Sequence, residues 1–501
     1  MSASITPEVH LLVLVHGMWG NPNNLAEMKR TIDELKCDPS KESSSGVELV
    51  SLVATNNQSE STYDGIDWGG ERVAEEVIEE IERLEKDGKK VTRFSITGYS
   101  LGGLLSRYVI GIMHQRKMFD TITPVNFNTI ATPHIGLIRF PSIWSRTASV
   151  LGPKLLSRTG EQFYSVDKWS AKGRPLLEVM ADPERIFFQA LSLFPHIRIY
   201  ANAINDITVP YLTACMESHD PFLDHKTSGI TVEFDEKYHP IIKSWHVPET
   251  PPPAPEGPRA LSKEWFQAAH VPSLPLPPRL QFGFPLNLLM WAAVPILVPT
   301  FLTLVTVRFT LSSRSSRQRI KLLESDPSAR DRLVHVFAEL ERQMEDVVVE
   351  MVDNSEETEQ LEPLGLERPE ASFTLTPMSS TPAQSTPTLS PHTDGETHSE
   401  SNTTVGQDQD PETGIATADT KSHKCHKGKG KGKVSAQADL TPLQHKMLSW
   451  LNSIPQLEKE RAYIDHIRNS HGTIIARDLK TFEFHKIGLG VLRHWADKFV
   501  V

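Results

Sequence analysis

The stretch FSITGYSLGGLLSRYVI, Phe94 to Ile110, leaves little freedom to the fold around it. An apolar run of strand character, VTRFSIT, leads into Gly98-Tyr99-Ser100-Leu101-Gly102, and a helix-like run, LLSRYVIGIMHQR, follows at once. A chain that passes from strand to helix through one serine turns sharply, and Gly98, Gly102 and Gly103 give the backbone room to do so. Such a turn lifts the Ser100 hydroxyl to the C-terminal edge of a sheet. The helix that starts there favours negative charge at its N-terminus. Gly-x-Ser-x-Gly pentapeptides also arise by chance, so the rest of the chain has to supply the partners.

Other segments repeat the pattern of strand then helix. LLVLVHG, VNFNTIAT and IRIYANAI read as further buried strands, and GGERVAEEVIEEIERLEKDG sets Val73, Val77, Ile81 and Leu84 on one helix face before Gly88. Strands alternating with helices predict an α/β fold with a mostly parallel sheet and helices on both faces. The opening MSASITPEVHLLVLVHG has a short apolar run with no basic stretch before it, and is read as strand rather than secretory signal.

At 501 residues the chain exceeds one ordinary core, and its composition changes along its length. Residues 1–250 read as the N-terminal part of an α/β core. Residues 251–325 hold a proline-rich linker and then an uncharged apolar run, 280–307, between Arg279 and Arg308. Its length suits a spanning helix, while Pro285, Pro295 and Pro299 also suit a bent hairpin that enters and leaves one leaflet. A buried core helix is the plain alternative. The basic RFTLSSRSSRQRIK that follows favours a lipid surface. Residues 326–440 begin with an amphipathic helix within 327–352 and continue as Ser/Thr/Pro-rich, acidic sequence ending in KSHKCHKGKGKGK. That region has too few apolar side chains to offset its chain entropy and is expected to be disordered. Residues 441–501 return to order. Thr441 caps a helix with Pro442 and Gln444 behind it, GTIIAR reads as a strand, and GLGVLRHWADKFV as a closing helix. This part is expected to complete the first core.

Net charge is −11 with a pI of about 6.0, which argues against a nucleic-acid partner. Cys37, Cys215 and Cys425 are scattered, so a reducing compartment is expected, and none has metal-ligand spacing.

A serine hydroxyl becomes a nucleophile only with a base, an acid to orient that base, and donors for the developing oxyanion. The loop LVHGMWGNPNNL follows a strand, where such donors are placed. The backbone N–H of Met18 is expected to be one, and that of Leu101 the other. His16 precedes the serine and is read as support for this loop. Asp206, in IYANAINDITVPYLTA, sits at a strand end where it could meet a histidine. An Asx-turn is the simpler use of a lone Asp, but chain order favours catalysis; Asp220 and Asp224 are rivals. The base should follow the acid. His239, His246, His270, His471, His485 and His494 all qualify by order. His471, in an Asn-Ser-His-Gly turn, is favoured over His485 on a strand-like stretch and His494 on a helix.

Taken together, LVHGMWGNPNNL, STYDGIDWGGERVAEEV, FSITGYSLGGLLSRYVIG, NTIATPHIG, ANAINDITVPYLTA and SHGTIIAR resemble the serine esterases of the α/β-hydrolase fold. Among these the likeness is to the fungal lipid-droplet phospholipases, over about 9–250 and 441–501. The resemblance implies a Ser100, Asp206 and His471 triad, a structural His134, and an entrance shaped by TYDGIDWGG and TPHIG. It implies hydrolysis of phospholipid or other lipid esters, with broad headgroup tolerance. The setting would be a lipid droplet or endoplasmic reticulum membrane, facing the cytosol, with no cofactor and no metal. The segment 310–440 departs from the compact family pattern. GLIRFPSIWSRTASVLGPKLL, 136–156, has the mix of apolar and basic residues of a lid or an interfacial surface. An acylglycerol lipase or an acyltransferase would use the same triad, and a non-catalytic membrane-anchored scaffold would need none of it.

Overall fold

The computed structural model describes residues 6–36, 46–141, 143–250, 252, 286–325 and 438–501. The expected amphipathic helix at 327–352, the low-complexity stretch behind it and His270 lie outside these residues, as do Cys37 and Cys425.

Six parallel strands make the main sheet: β1 (Glu8–Val15), β2 (Glu48–Val53), β3 (Lys90–Tyr99), β4 (Thr123–Ile130), β5 (His196–Asn202) and, after two strands outside this sheet, β8 (Leu457–Ala462). Their spatial order is β2-β1-β3-β4-β5-β8. The two outside it, β6 (Thr231–Phe234) and β7 (Ile242–His246), form a separate antiparallel pair. The helices are α1 (Ala26–Lys36), α2 (Ile66–Lys86), α3 (Leu101–Gln115), α4 (Ile143–Leu155), α5 (Ser157–Phe163), α6 (Leu176–Ala181), α7 (Ile186–Ser192), α8 (Tyr211–Ala214), α9 (Leu286–Ser325), α10 (Pro442–Leu451) and α11 (Leu489–Asp497).

The pattern of β1 explains the two layers. Val9, Leu11, Val13 and Val15 point into a core shared with α2, α3, α6, α7 and α10. Leu12 and Leu14 point the other way, into a core made with α1 and α11. Apolar residues on both faces are what a central parallel strand requires. This is the α/β-hydrolase arrangement, with β3 inside the sheet and α3 directly behind it. Thr441 caps α10 as its sequence predicts, exchanging hydrogen bonds with Gln444 at 3.0 and 3.2 Å.

Two expectations at the C-terminal end are corrected. GTIIAR is a series of tight turns, with Ala476 N–H donating to Thr473 and Arg477 N–H to Gly472. Its β-branched residues suggested a strand, yet Ile474 and Ile475 are fully buried against α11 without any sheet partner. The sixth strand is instead LEKERA, which pairs with β5 from Ile197–Leu457 to Asn202–Ala462. His485 lies in a short 3-10 helix, Glu483–Gly488, and not on a strand.

The apolar run takes one form over its described part, from Leu286 onward. From Leu286 to Ser325 the chain is a single helix that passes through Pro295 and Pro299 without reversing. Proline at 299 removes an N–H from the ladder. The threonine hydroxyls at 300, 303, 306 and 310 donate to carbonyls four residues back at 2.7–2.8 Å, so none of them needs water. The C-terminal half of α9 packs on α4, α5 and the 3-10 turn Ser59–Tyr63. Ser313 donates to Lys154, Ser157 to Ser316, and Arg319 grips the buried Asp64 carboxylate at 2.7 Å, which Arg72 also holds at 2.6 Å. Ahead of that half, Ile296, Phe301, Leu302 and Leu304 are each half or more exposed.

Candidate active site

Ser100 sits between β3 and α3 with φ of 57° and ψ of −125°, a conformation a non-glycine residue adopts only when its surroundings hold it. They do. Its N–H donates to Ile130 at 2.9 Å, and its carbonyl accepts from Thr132 Oγ1 at 3.0 Å. The glycines allow the crossing behind it. A Cβ on Gly102 would lie 2.1 Å from the Val15 carbonyl oxygen, and one on Gly98 would lie 2.4 Å from the Gly103 nitrogen. No side chain fits at either place.

Asp206 and His471 come from the loops after β5 and β8, along the same C-terminal edge of the parallel sheet. Asp206 lies just past β5. Its Oδ1 accepts from the N–H groups of Thr208 and Val209 at 3.0 and 2.8 Å, and its Oδ2 from Asn202 Nδ2 at 2.8 Å. The Asx-turn and the meeting with a histidine therefore coexist in one carboxylate. His471 Nδ1 is 2.9 Å from Asp206 Oδ2, and His471 Nε2 is 3.0 Å from Ser100 Oγ. The three side chains thus form a continuous hydrogen-bonded line across 371 residues of sequence. With Asp206 accepting from Nδ1–H, the free lone pair on Nε2 faces the serine hydroxyl.

The histidine's loop is fixed by side chains the sequence reading did not single out. Tyr99 donates its buried hydroxyl to the His471 carbonyl at 3.0 Å, with the two rings 5.1 Å apart. Ser470 docks by two bonds, its N–H to Asn205 and its hydroxyl to Ile204, and Asn469 Oδ1 accepts the His471 N–H. Burial pushes the Tyr99 phenol well above its ordinary pKa, so it stays a donor. The signal for Asn202 and Asn205 was present in YANAIND, two amides within reach of the acid.

The remaining candidates fall elsewhere. His485 accepts from the Asp478 N–H, and His494 Nδ1 meets the Tyr200 hydroxyl at 3.0 Å. Asp220 accepts from the Phe222 N–H, and burial raises its pKa to about 6. His16 Nδ1–H donates to the Gly17 carbonyl inside the loop after β1, and burial holds the imidazole below its usual pKa. His134 is buried against Thr129 at 2.9 Å, where desolvation keeps it neutral. Leu101 follows Ser100 directly, and Met18 follows Gly17, on which a Cβ would lie 2.7 Å from that of Ser100; neither Met18 nor Leu101 N–H has an acceptor among the described residues. Among those residues no group of histidine, cysteine and carboxylate side chains is placed to hold a metal.

Residues 6–219 match the family described as "Putative serine esterase (DUF676)", a range that takes in Ser100 and Asp206. This part of the chain is therefore similar to the serine esterases. The curated relatives include "Putative lipase C4A8.10" of Schizosaccharomyces pombe, 33% identical over 214 residues, covering 42% of this chain and 26% of that protein. "Putative lipase ROG1" of Saccharomyces cerevisiae is 26% identical over 211 residues, covering 41% of this chain and 28% of its own. The chain thus spans little more than a quarter of the length of these relatives. Among solved structures, Est1E from Butyrivibrio proteoclasticus is 14% identical with a TM-score of 0.23, covering 42% of this chain and 72% of that one. Phospholipase PlaB from Legionella pneumophila is 13% identical with a TM-score of 0.24, covering 40% of each chain.

Proposed function

We propose that this chain, whose residues 6–219 match the serine esterase family, is a lipid ester hydrolase that cleaves phospholipids at a droplet or endoplasmic reticulum surface facing the cytosol. The observation that carries the reading is the line of hydrogen bonds Ser100–His471–Asp206, at 3.0 and 2.9 Å. Ser100 Oγ attacks the ester carbonyl while His471 Nε2 takes its proton. Asp206 holds the imidazole and stabilises the imidazolium that forms. The N–H groups of Met18 and Leu101 donate to the oxyanion. His471 then protonates the departing lysolipid oxygen, and a water, deprotonated by the same nitrogen, releases the fatty acid.

The lipid part of the reading rests on α9. The 22 residues from Leu286 to Val307 carry no charge and would extend about 33 Å as helix, against about 30 Å of hydrocarbon. Internally bonded threonines suit that medium. Residues 1–250 and 441–501 are taken as one split core, with 251–325 and 326–440 set between its parts.

The test is product analysis. Wild-type protein incubated with phosphatidylcholine vesicles should release fatty acid and lysophospholipid, and Ser100→Ala should release neither. Labelling of both proteins alike by a fluorophosphonate would remove Ser100 from the role. Diacylglycerol or phosphatidate as the product would remove the reaction.

A further inference from the structure

Where α9 leaves the core there is a pocket of about 320 Å³, lined by Trp19, Glu60, Tyr63, Val305, Arg308 and Phe309 together with Ser59. Its contents are chemically mixed. Trp19 and Phe309 stack with ring centroids 5.8 Å apart and planes 5° from parallel, and Trp19 Nε1 donates to the Tyr63 hydroxyl at 2.9 Å. Arg308 and Glu60 carry opposite charges, and neither side chain has a salt-bridge partner among the described residues. A cation and an anion on one aromatic-walled pocket, both uncommitted, suit a ligand that carries both signs.

The pocket is also tied to the candidate active site. Trp19 follows Met18 directly. Its N–H donates to Thr62 Oγ1 at 3.1 Å, and the Ser59 N–H donates to Gly20 at 3.0 Å. The loop that presents the Met18 N–H and the turn that carries Glu60 and Tyr63 are therefore one bonded unit. On the other side, Val305 and Phe309 continue the exposed apolar surface of α9. A lipid with its tails along α9 would bring its polar end to this pocket and its ester linkage towards Ser100.

We infer that this pocket is a subsite for the zwitterionic phosphodiester headgroup of a phospholipid substrate, with Arg308 on the phosphate and Glu60 on the ammonium. A guanidinium takes a phosphate through two parallel N–H bonds. Aromatic rings and a carboxylate together suit a choline or ethanolamine cation. The volume lies within the range of small-molecule pockets, from about 300 Å³ upward. This inference rests on the reading of the protein as a lipid ester hydrolase.

The experiment measures two rates on mixed vesicles, phosphatidylcholine and diacylglycerol, which share acyl chains and interface but differ in the headgroup. Arg308→Gln should lower the ratio of the two rates by roughly tenfold, the size of one lost charge-assisted contact. Arg308→Glu should lower it further, and Arg308→Lys should restore most of it. Glu60→Gln should shift preference from phosphatidylcholine towards phosphatidate, which keeps the phosphate and lacks the cation. Ratios that stay level through Arg308→Gln and Arg308→Glu, with wild type active on both lipids, overturn the subsite alone. A wild type inactive on both lipids takes the hydrolase reading down and the subsite with it.

Discussion

Two apolar runs of this chain look alike as strings and end in opposite places. Phe94 to Met113 passes through β3, the Ser100 turn and α3, and nearly every side chain in it is buried. Ala292 to Val307, of comparable apolarity, leaves most of its side chains exposed, and none of them is fully buried. The difference lies in what the backbone can approach. Glycines at 98 and 102 let β1, β3 and α3 come together with no Cβ between them. In α9 there is no glycine, and over its apolar part the threonine hydroxyls bond back to the helix's own carbonyls. Hydrophobicity sets how much surface seeks cover, and local geometry decides whether the rest of the protein supplies it.

The sharpest way to break the comparison is at the serine, because the buried run exists to hold it. Ser100→Ala should lower ester turnover by roughly 10⁴-fold or more, and His471→Ala by a similar factor. The double variant should lose little beyond either single one, since the two act as a unit. Thermal unfolding should show all three folded. Turnover retained in His471→Ala would move the base elsewhere.

The exposed run should respond in binding. Fully burying a leucine or phenylalanine contributes about 1.5–3 kcal/mol. The triple change Phe301→Ser, Leu302→Ser and Leu304→Ser should therefore weaken vesicle co-flotation on the order of a thousandfold, while thermal stability without lipid stays level. Full flotation by this variant would show that α9 is not what holds the surface.

A matched pair puts both runs on one scale. Leu104 is fully buried and Leu304 is 64% exposed. Leu104→Ala should cost about 2–5 kcal/mol of stability by denaturant titration, and Leu304→Ala under about 0.5 kcal/mol. Similar losses would mean that α9 is covered in solution.

How far the sequence carried this contrast depends on the kind of signal. The α/β layering was readable because central parallel strands are apolar on both faces. The order of Ser100, Asp206 and His471 was readable because each lies in a turn after a strand or beside an apolar run. The strand β8 was not. LEKERA has the composition of a helix surface, and it is an edge strand whose charges are answered across the fold: Glu458 by Arg198, Lys459 and Arg461 by Glu217. Edge strands carry such charges as a rule. GTIIAR misled in the opposite sense, since apolar β-branched residues fill a core as well from turns as from strands. Tyr99, Asn202 and Ser470 act by holding other site residues, and that is a property of where the chain folds back, which spacing in a sequence does not record.

The smallest effect concerns acid, and it separates the two runs once more. His10 on β1 is fully buried, with Nε2 2.7 Å from the Ser95 hydroxyl, its ring against Phe499 and Arg93 nearby. Burial first, and the Arg93 cation second, lower its pKa to about 3 from an ordinary 6.5. A histidine held neutral in the fold binds its proton in the unfolded chain first. Its contribution is fully present above pH 6.5 and is lost as pH falls from there towards 3. His134, buried behind β4, acts in the same direction. Stability should therefore drop between pH 7 and 5.5, with His10 accounting for about 1 kcal/mol of the change. His10→Gln should flatten that stretch of the profile by this amount, whatever it does to stability at pH 7. The α9 triple variant should leave the profile's shape as it is, because no histidine lies in or against that apolar run among the described residues. An unchanged slope in His10→Gln would mean that the imidazole takes its proton in the folded protein, and that the sheet around β1 admits more water than its packing suggests.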